Sequence, residues 1–254
     1  MKPVCLVIGA GAGIGGNVAR RFAQEGFHAV LCRRRDQDGL DELVGIIEAD
    51  GGTASGRLLD AVAEGSIEDC VDAVENDSGP IEVAVYNLGA QIGNHALGDT
   101  SLKAFEMGWR LGTLGLFRLA QAVCPRMVER GHGTLLVTSA TAAMRGNPGQ
   151  HSHAAAMGGR RLLCQTLNAE FGPLGIHVAH IVVDGAVDAP DTLGKMLGPE
   201  GYRRLREARG QEHDGLLLPD KIADTFWHLA QQHRSVWTHE LDLRPFCDSP
   251  WWNG

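Results

Sequence analysis

A doubly wound α/β fold, a parallel sheet covered by helices on both faces, is what this sequence predicts, and three observations predict it. The chain opens with an apolar run, Val4 to Ile8, that ends in the glycine turn Gly9-Ala10-Gly11-Ala12-Gly13-Ile14-Gly15-Gly16. A periodic helix follows, with Val18, Phe22 and Ala23 on its inner face. Strand-sized apolar runs then alternate with helix-sized stretches as far as Val183, a rhythm that demands parallel strands joined by helical crossovers.

The glycine turn is the first element with a chemical use. Glycines let the chain leave the strand sharply, allow backbone to approach a pyrophosphate, and aim the positive end of the helix at it. Gly11-x-Gly13-x-x-Gly16 fits the general dinucleotide fingerprint; without a ligand the same residues would serve as a tight strand-to-helix turn. The second strand, Ala29 to Cys32, runs into Arg33-Arg34-Arg35, where a cofactor with a free ribose 2′-OH would meet Asp or Glu. No carboxylate is expected at the strand end. A guanidinium there pairs with a 2′-phosphate through bidentate, charge-assisted hydrogen bonds, so the run points to NADP(H) over NAD(H). The alternative is three arginines capping a strand at the surface.

The elements continue in order. Asp36 to Asp50 reads as a polar-faced helix, Ala54 to Leu59 as a third strand ending in Asp60, and Ser66 to Glu75 as a helix. Ile81 to Tyr86 is the fourth strand, closed by Asn87-Leu88-Gly89. A helix from about Leu102 to Arg130, a strand Gly133 to Thr138, a helix from about His153 to Phe171 and a strand His177 to Val183 complete the alternation.

Composition bounds the rest. The 254 residues contain no linker, and 44% hydrophobic with 21% charged residues describes a globular chain, here read as one domain over 1–254. No apolar run is long enough to span a bilayer and no signal-peptide pattern opens the chain, so no membrane partner is expected and the default location is cytoplasmic. A formal charge of −8 argues against nucleic acid as a partner. The six cysteines lack metal or CxxC spacing and read as buried thiols, and His151-x-His153 has no third ligand, so no metal is expected. Arg203, Arg204, Arg206 and Arg209, interleaved with Glu200 and Glu207, read as a solvated helix face.

These residues together resemble the short-chain dehydrogenase/reductase family along the whole chain. Gly9-x-x-x-Gly13-x-Gly15 matches its glycine loop, Asp60 its adenine-contacting Asp, and Asn87-x-Gly89 its Asn-Ala-Gly. Pro173-Leu174-Gly175-Ile176 before the sixth strand and Trp237 to Phe246 as the last strand agree. The resemblance implies a Rossmann-type single domain in which Gly9, Gly13, Ile14, Gly15, Arg33, Arg34, Asp60, Asn87 and Gly89 hold the cofactor. It also implies that Gly185-Ala186-Val187 approaches the nicotinamide, and that the long helices pair copies of the chain into a dimer or tetramer. The Gly/Pro-punctuated segment at about 186–219 is the expected substrate lid. Asp184 stands where the family has Pro and is read as a loop-capping carboxylate.

At the reacting end the sequence departs from the family. The family's Tyr-x-x-x-Lys is replaced by His153 and Met157, its Ser by Ala140 and its Asn by Gly112. No shift of register restores the dyad, because the only tyrosines are Tyr86 and Tyr202 and no lysine lies between Lys103 and Lys195. Ser139, next to Ala140, is an open substitute for the serine. His153 is either a proton donor near neutral pH or a histidine in a vacated site. Gly108, Gly112 and Gly115 share a helix face and read as a close-packing stripe. Two expectations follow: an NADP(H)-dependent oxidoreductase with a non-standard site using His153 or Ser139, acting on an imine or activated C=C; or an inactive NADP(H)-binding pseudoenzyme serving as sensor or partner subunit.

Overall fold

The computed structural model describes residues 2–89 and 94–253. Seven parallel strands form one sheet: β1 (Val4–Ile8), β2 (His28–Arg33), β3 (Thr53–Leu58), β4 (Ile81–Tyr86), β5 (Gly133–Ala140), β6 (Ile176–Val183) and β7 (Glu240–Leu243), in the order β3-β2-β1-β4-β5-β6-β7. The reversal of strand order beside β1 makes the crevice at the carboxyl ends of β1 and β4 the natural ligand seat. Helices α1 (Ile14–Gln24), α2 (Gln37–Ala49) and α8 (Pro219–Ala230) cover one face; α3 (Ser66–Asp77), α4 (Leu102–Trp109), α5 (Gly115–Arg130) and α6 (His151–Phe171) lie on the other, and α7 (Lys195–Arg209) follows β6. Strand periodicity divides the core accordingly: Val4, Leu6 and Ile8 pack with α3 and α5, while Cys5 and Val7 pack with α1 and α8.

Several elements differ from the sequence expectation. The long helix expected over Leu102–Arg130 is broken by a π-turn at Arg110–Leu114. Here the Leu111 carbonyl accepts from the Tyr86 hydroxyl at 2.6 Å and the Gly112 carbonyl from Arg160 Nε at 2.7 Å. The last strand is only four residues long, because the Thr238 amide is engaged by the Gln232 side chain at one end and Pro245 supplies no donor at the other. Helix α6 begins at His151, two residues early, and α8 was not anticipated. Of the cysteines, five are buried and Cys247 is exposed; Cys32 and Cys70 place their sulfurs 3.6 Å apart.

A polar network stands at the β6–β7 edge. His180 is fully buried, with Nδ1 3.0 Å from Glu240, which Arg161 grips through two 2.7 Å hydrogen bonds. Burial pushes the imidazole down from 6.5 to about 4, overcoming the pull of Glu240. With the folded value below the unfolded one, the unfolded chain takes up the proton first as pH falls. This group should therefore cost about 3 kcal/mol of stability between about pH 6.5 and pH 4. Urea unfolding across that range tests it: His180→Asn should flatten the slope, and a slope identical to the wild type would refute the assignment.

Candidate functional site

The site is built where β1 meets the glycine turn. Gly9 has φ +99, and a Cβ there would stand 2.9 Å from the Asn87 carbonyl carbon and oxygen, so glycine is required both for the turn and for the approach of β4. The Cys32 carbonyl accepts both the Gly9 and Ala10 amides at 2.9 Å, tying the turn to β2. Asn87 Nδ2 donates to the Gly9 carbonyl at 2.9 Å, tying it to β4. A side chain at Gly15 would collide with the Gly9 carbonyl oxygen, which leaves the start of α1 free of side-chain bulk.

A cavity of about 490 Å³ opens over this turn. It is lined by Gly9, Gly13, Ile14, Gly15, Arg33, Arg34, Asn87, Gly89, Ser139, His153 and Val187, so most of the expected site residues converge on it. Two do not line it. Asp60 is exposed and accepts the Val62 amide at 3.3 Å, while Gly185 packs against Pro245. Asp184 caps the chain end, accepting the Trp251 amide at 3.1 Å.

Sequence reasoning missed three charged residues in the wall: Arg160, Asp191 and Lys195. With Arg33, Arg34 and Arg35 they make five cations against one carboxylate among the described lining residues, inside a chain of net charge −8. The arginines after β2 differ from one another. Arg33 lies 3.0 Å from Asp36 and 3.6 Å from Asp191. Arg34 and Arg35 are exposed and have no ion-pair partner among the described residues.

Arg160 is the largest buried side chain among the described residues, 1% exposed, and no carboxylate among them faces it. Its guanidinium is held by three carbonyls from three elements: Gly112 at 2.7 Å, Thr138 at 2.5 Å and Leu88 at 2.8 Å. It also lies over the Tyr86 ring, 5.2 Å from the centroid. The signal for it in the sequence was its spacing: residues 153, 157 and 160 recur on one helix face.

His153 is half-buried in the cavity wall, and its Nδ1 is buried without a hydrogen-bond partner among the described residues. Burial first, and then the Arg160 charge, hold its pKa below 6.5, so the imidazole is neutral at pH 7. Ser139 and Thr138 are buried at the end of β5; Ser139 Oγ meets Met157 Sδ at 3.9 Å and Thr138 Oγ1 has no partner among the described residues. The wall thus offers a neutral imidazole, two hydroxyls and a fixed positive charge, a set suited to hydrogen-bonding an oxygen on which negative charge develops.

Known proteins of the same architecture match the chain over most of its length. The profile of a family described as short chain dehydrogenase matches residues 3–193. The chain is similar to the short-chain reductase protein NovJ of Streptomyces niveus, 32% identical over 244 residues, covering 94% of this chain and 91% of that protein. A crystal structure of a short-chain dehydrogenase from Rhodopseudomonas palustris superposes with TM-score 0.79 at 31% identity, covering 96% of this chain and 99% of that one. An alcohol dehydrogenase from the archaeon Thermococcus sibiricus, solved with 5-hydroxy-NADP, shares the fold with TM-score 0.81 at 24% identity, covering 98% of each chain.

Proposed function

Because the chain belongs to the short-chain dehydrogenase family, we propose that it binds NADP(H) in this cavity and transfers hydride to or from a small organic substrate at a site without the Tyr-x-x-x-Lys dyad. The observation that carries the reading is a glycine-floored, cationic cavity in an acidic protein. The residues fit the cofactor: Gly9 and Gly15 leave room for phosphates at the start of α1, and Arg34 and Arg35 are free to take a 2′-phosphate. The solved archaeal relative carries an NADP derivative, which supports the same choice.

When bound, the cofactor supplies or accepts the hydride. Arg160 contributes a cation that only carbonyl dipoles balance, so it favours an acceptor that gains negative charge, a carbonyl or enone oxygen, over an iminium already positive. His153, neutral, donates a hydrogen bond to that oxygen, with the Ser139 hydroxyl as the second donor. The segment at 186–219 closes over the substrate. Exposed Leu102, Phe105, Trp109, Phe117 and Leu162 on α4, α5 and α6 support pairing of copies into a homo-oligomer. Met157 and Ala140, apolar at the reacting end, favour a second reading, an NADP(H)-binding protein without turnover.

Titration with NADPH and NADH, followed by a panel of enones, ketones and imines, separates the two. Expected are tighter binding of NADPH and its oxidation by an enone or ketone; binding without turnover across the panel would favour the pseudoenzyme. Arg33→Ala/Arg34→Ala should weaken NADPH by about 10- to 100-fold, the loss of one or two charge-assisted hydrogen bonds, with NADH little changed. Equal losses would remove the 2′-phosphate assignment. His153→Ala should lower turnover about 100-fold; unchanged turnover would exclude His153 from the chemistry.

A further inference from the structure

The segment that leaves β6 returns over the glycine turn and sets a carboxylate on it. Asp191 Oδ2 accepts the Ala12 amide at 3.3 Å and stands 3.6 Å from the Arg33 guanidinium, while Oδ1 lies 3.4 Å from Lys195 Nζ. The backbone comes down with it: a Cβ on Gly13 would lie 2.9 Å from the Ala189 Cβ. Ala12 belongs to the turn whose amides face a phosphate, and Arg33 ends the strand at which a 2′-phosphate is read. In the free protein, then, an internal anion already satisfies donors that the phosphorylated ribose would use.

Burial alone would push the Asp191 carboxyl up, but the Ala12 amide, Lys195 and Arg33 outweigh it and hold the pKa below the usual carboxylate range. The group is therefore ionised at neutral pH. A 2′-phosphate carries about −1.5 to −2. Carboxylate and phosphate on the same pair of donors repel, so one excludes the other.

Resting on the NADP(H) reading, we infer that Asp191 is a resident counter-ion of the 2′-phosphate seat: it pins residues 190–194 to the glycine turn and is displaced by the phosphate. Asp191 thereby bears on the discrimination between NADPH and NADH, because only the phosphorylated cofactor brings a second anion to Arg33. It also couples cofactor entry to release of the segment. Arg33 keeps Asp36 as a partner at 3.0 Å throughout, so the exchange leaves no orphaned guanidinium.

The test uses the whole chain and Asp191→Asn, which keeps the shape and the acceptor for Ala12 but removes the charge. Dissociation constants are measured for NADPH, NADH, adenosine 2′,5′-bisphosphate and 5′-AMP, and hydrogen exchange is followed over residues 189–195. Expected are roughly tenfold tighter binding of NADPH and of the bisphosphate, a change of about one charge–charge contact, with NADH and 5′-AMP within about twofold. Exchange over 189–195 should be faster in free Asp191→Asn, and should rise in the wild type on adding the bisphosphate. Weaker NADPH binding by the variant, equal tightening of NADH, or unaltered exchange each overturns the inference. A wild type that binds neither dinucleotide overturns the cofactor reading as well, whereas a wild type that prefers NADPH with no change in the variant overturns the inference alone.

Discussion

Arg160→Met will lower the thermal midpoint by about 10 °C. The substitution leaves the Gly112, Thr138 and Leu88 carbonyls without their donor. Each buried acceptor left unpaired costs about 1–3 kcal/mol. Relief of the desolvated charge offsets part of that total, leaving about 3–4 kcal/mol, at about 2–4 °C per kcal/mol for a chain near this length. Replacement of a buried ion pair by apolar side chains can be neutral because both partners leave together; here the partners are backbone and stay. Arg160→Lys keeps the charge without the planar fork and should fall between the two. A midpoint within 2 °C of wild type for the methionine variant would show that these carbonyls find other donors. A second readout isolates the electrostatic role. Removing the cation should raise the His153 pKa toward its ordinary value, a shift visible by NMR titration and not produced by loosened packing at a distance.

Gly115→Ala should cost about 2 kcal/mol. A Cβ at this position would collide with the Tyr86 hydroxyl and lie 3.1 Å from its ring carbon, and Tyr86 is fully buried with its hydroxyl fixed on the Leu111 carbonyl. Overpacking of this kind typically costs 1–3 kcal/mol, and the broken hydrogen bond adds about 1, against which alanine returns about 1 in helix propensity. Tyr86→Phe should rescue part of the loss, since it removes the atom that clashes. Denaturant unfolding of both single variants and the double variant gives the coupling. Additive effects would mean that Gly115 and Tyr86 do not meet as described.

Both experiments act on one assembly, and its legibility in the sequence was uneven. The strands around Val4–Ile8 and Ile81–Tyr86, the glycine turn and the bridging Asn87 could be read because the information is local: apolar runs of strand length, glycines where Cβ atoms have no room, and a side-chain amide at a strand end. The π-turn could not be read, since its cause is tertiary. Tyr86 from β4 and Arg160 from α6 supply donors to carbonyls that a regular helix would have used internally. Arg160 itself was hidden by its type, because a charged residue on a helix is assigned to the solvent face until three carbonyls are shown converging on it. Asp191 was hidden by distance, 179 residues from the amide it meets. The stripe Gly108, Gly112 and Gly115 was legible as close packing, but at Gly115 the object packed is a phenol hydroxyl.

The locked guanidinium also constrains what this scaffold can become. Restoring the family's dyad by His153→Tyr and Met157→Lys would place an ammonium one helical turn from a cation that has no carboxylate to share. Like charges so close, in a wall already short of anions, would drive the new lysine toward its neutral form and deprive the tyrosine of the influence it needs. Reversion therefore has an order: Arg160 must give way first, and its loss strands the carbonyls of three elements. Installing the family's dyad in this chain is therefore opposed by one side chain outside the dyad.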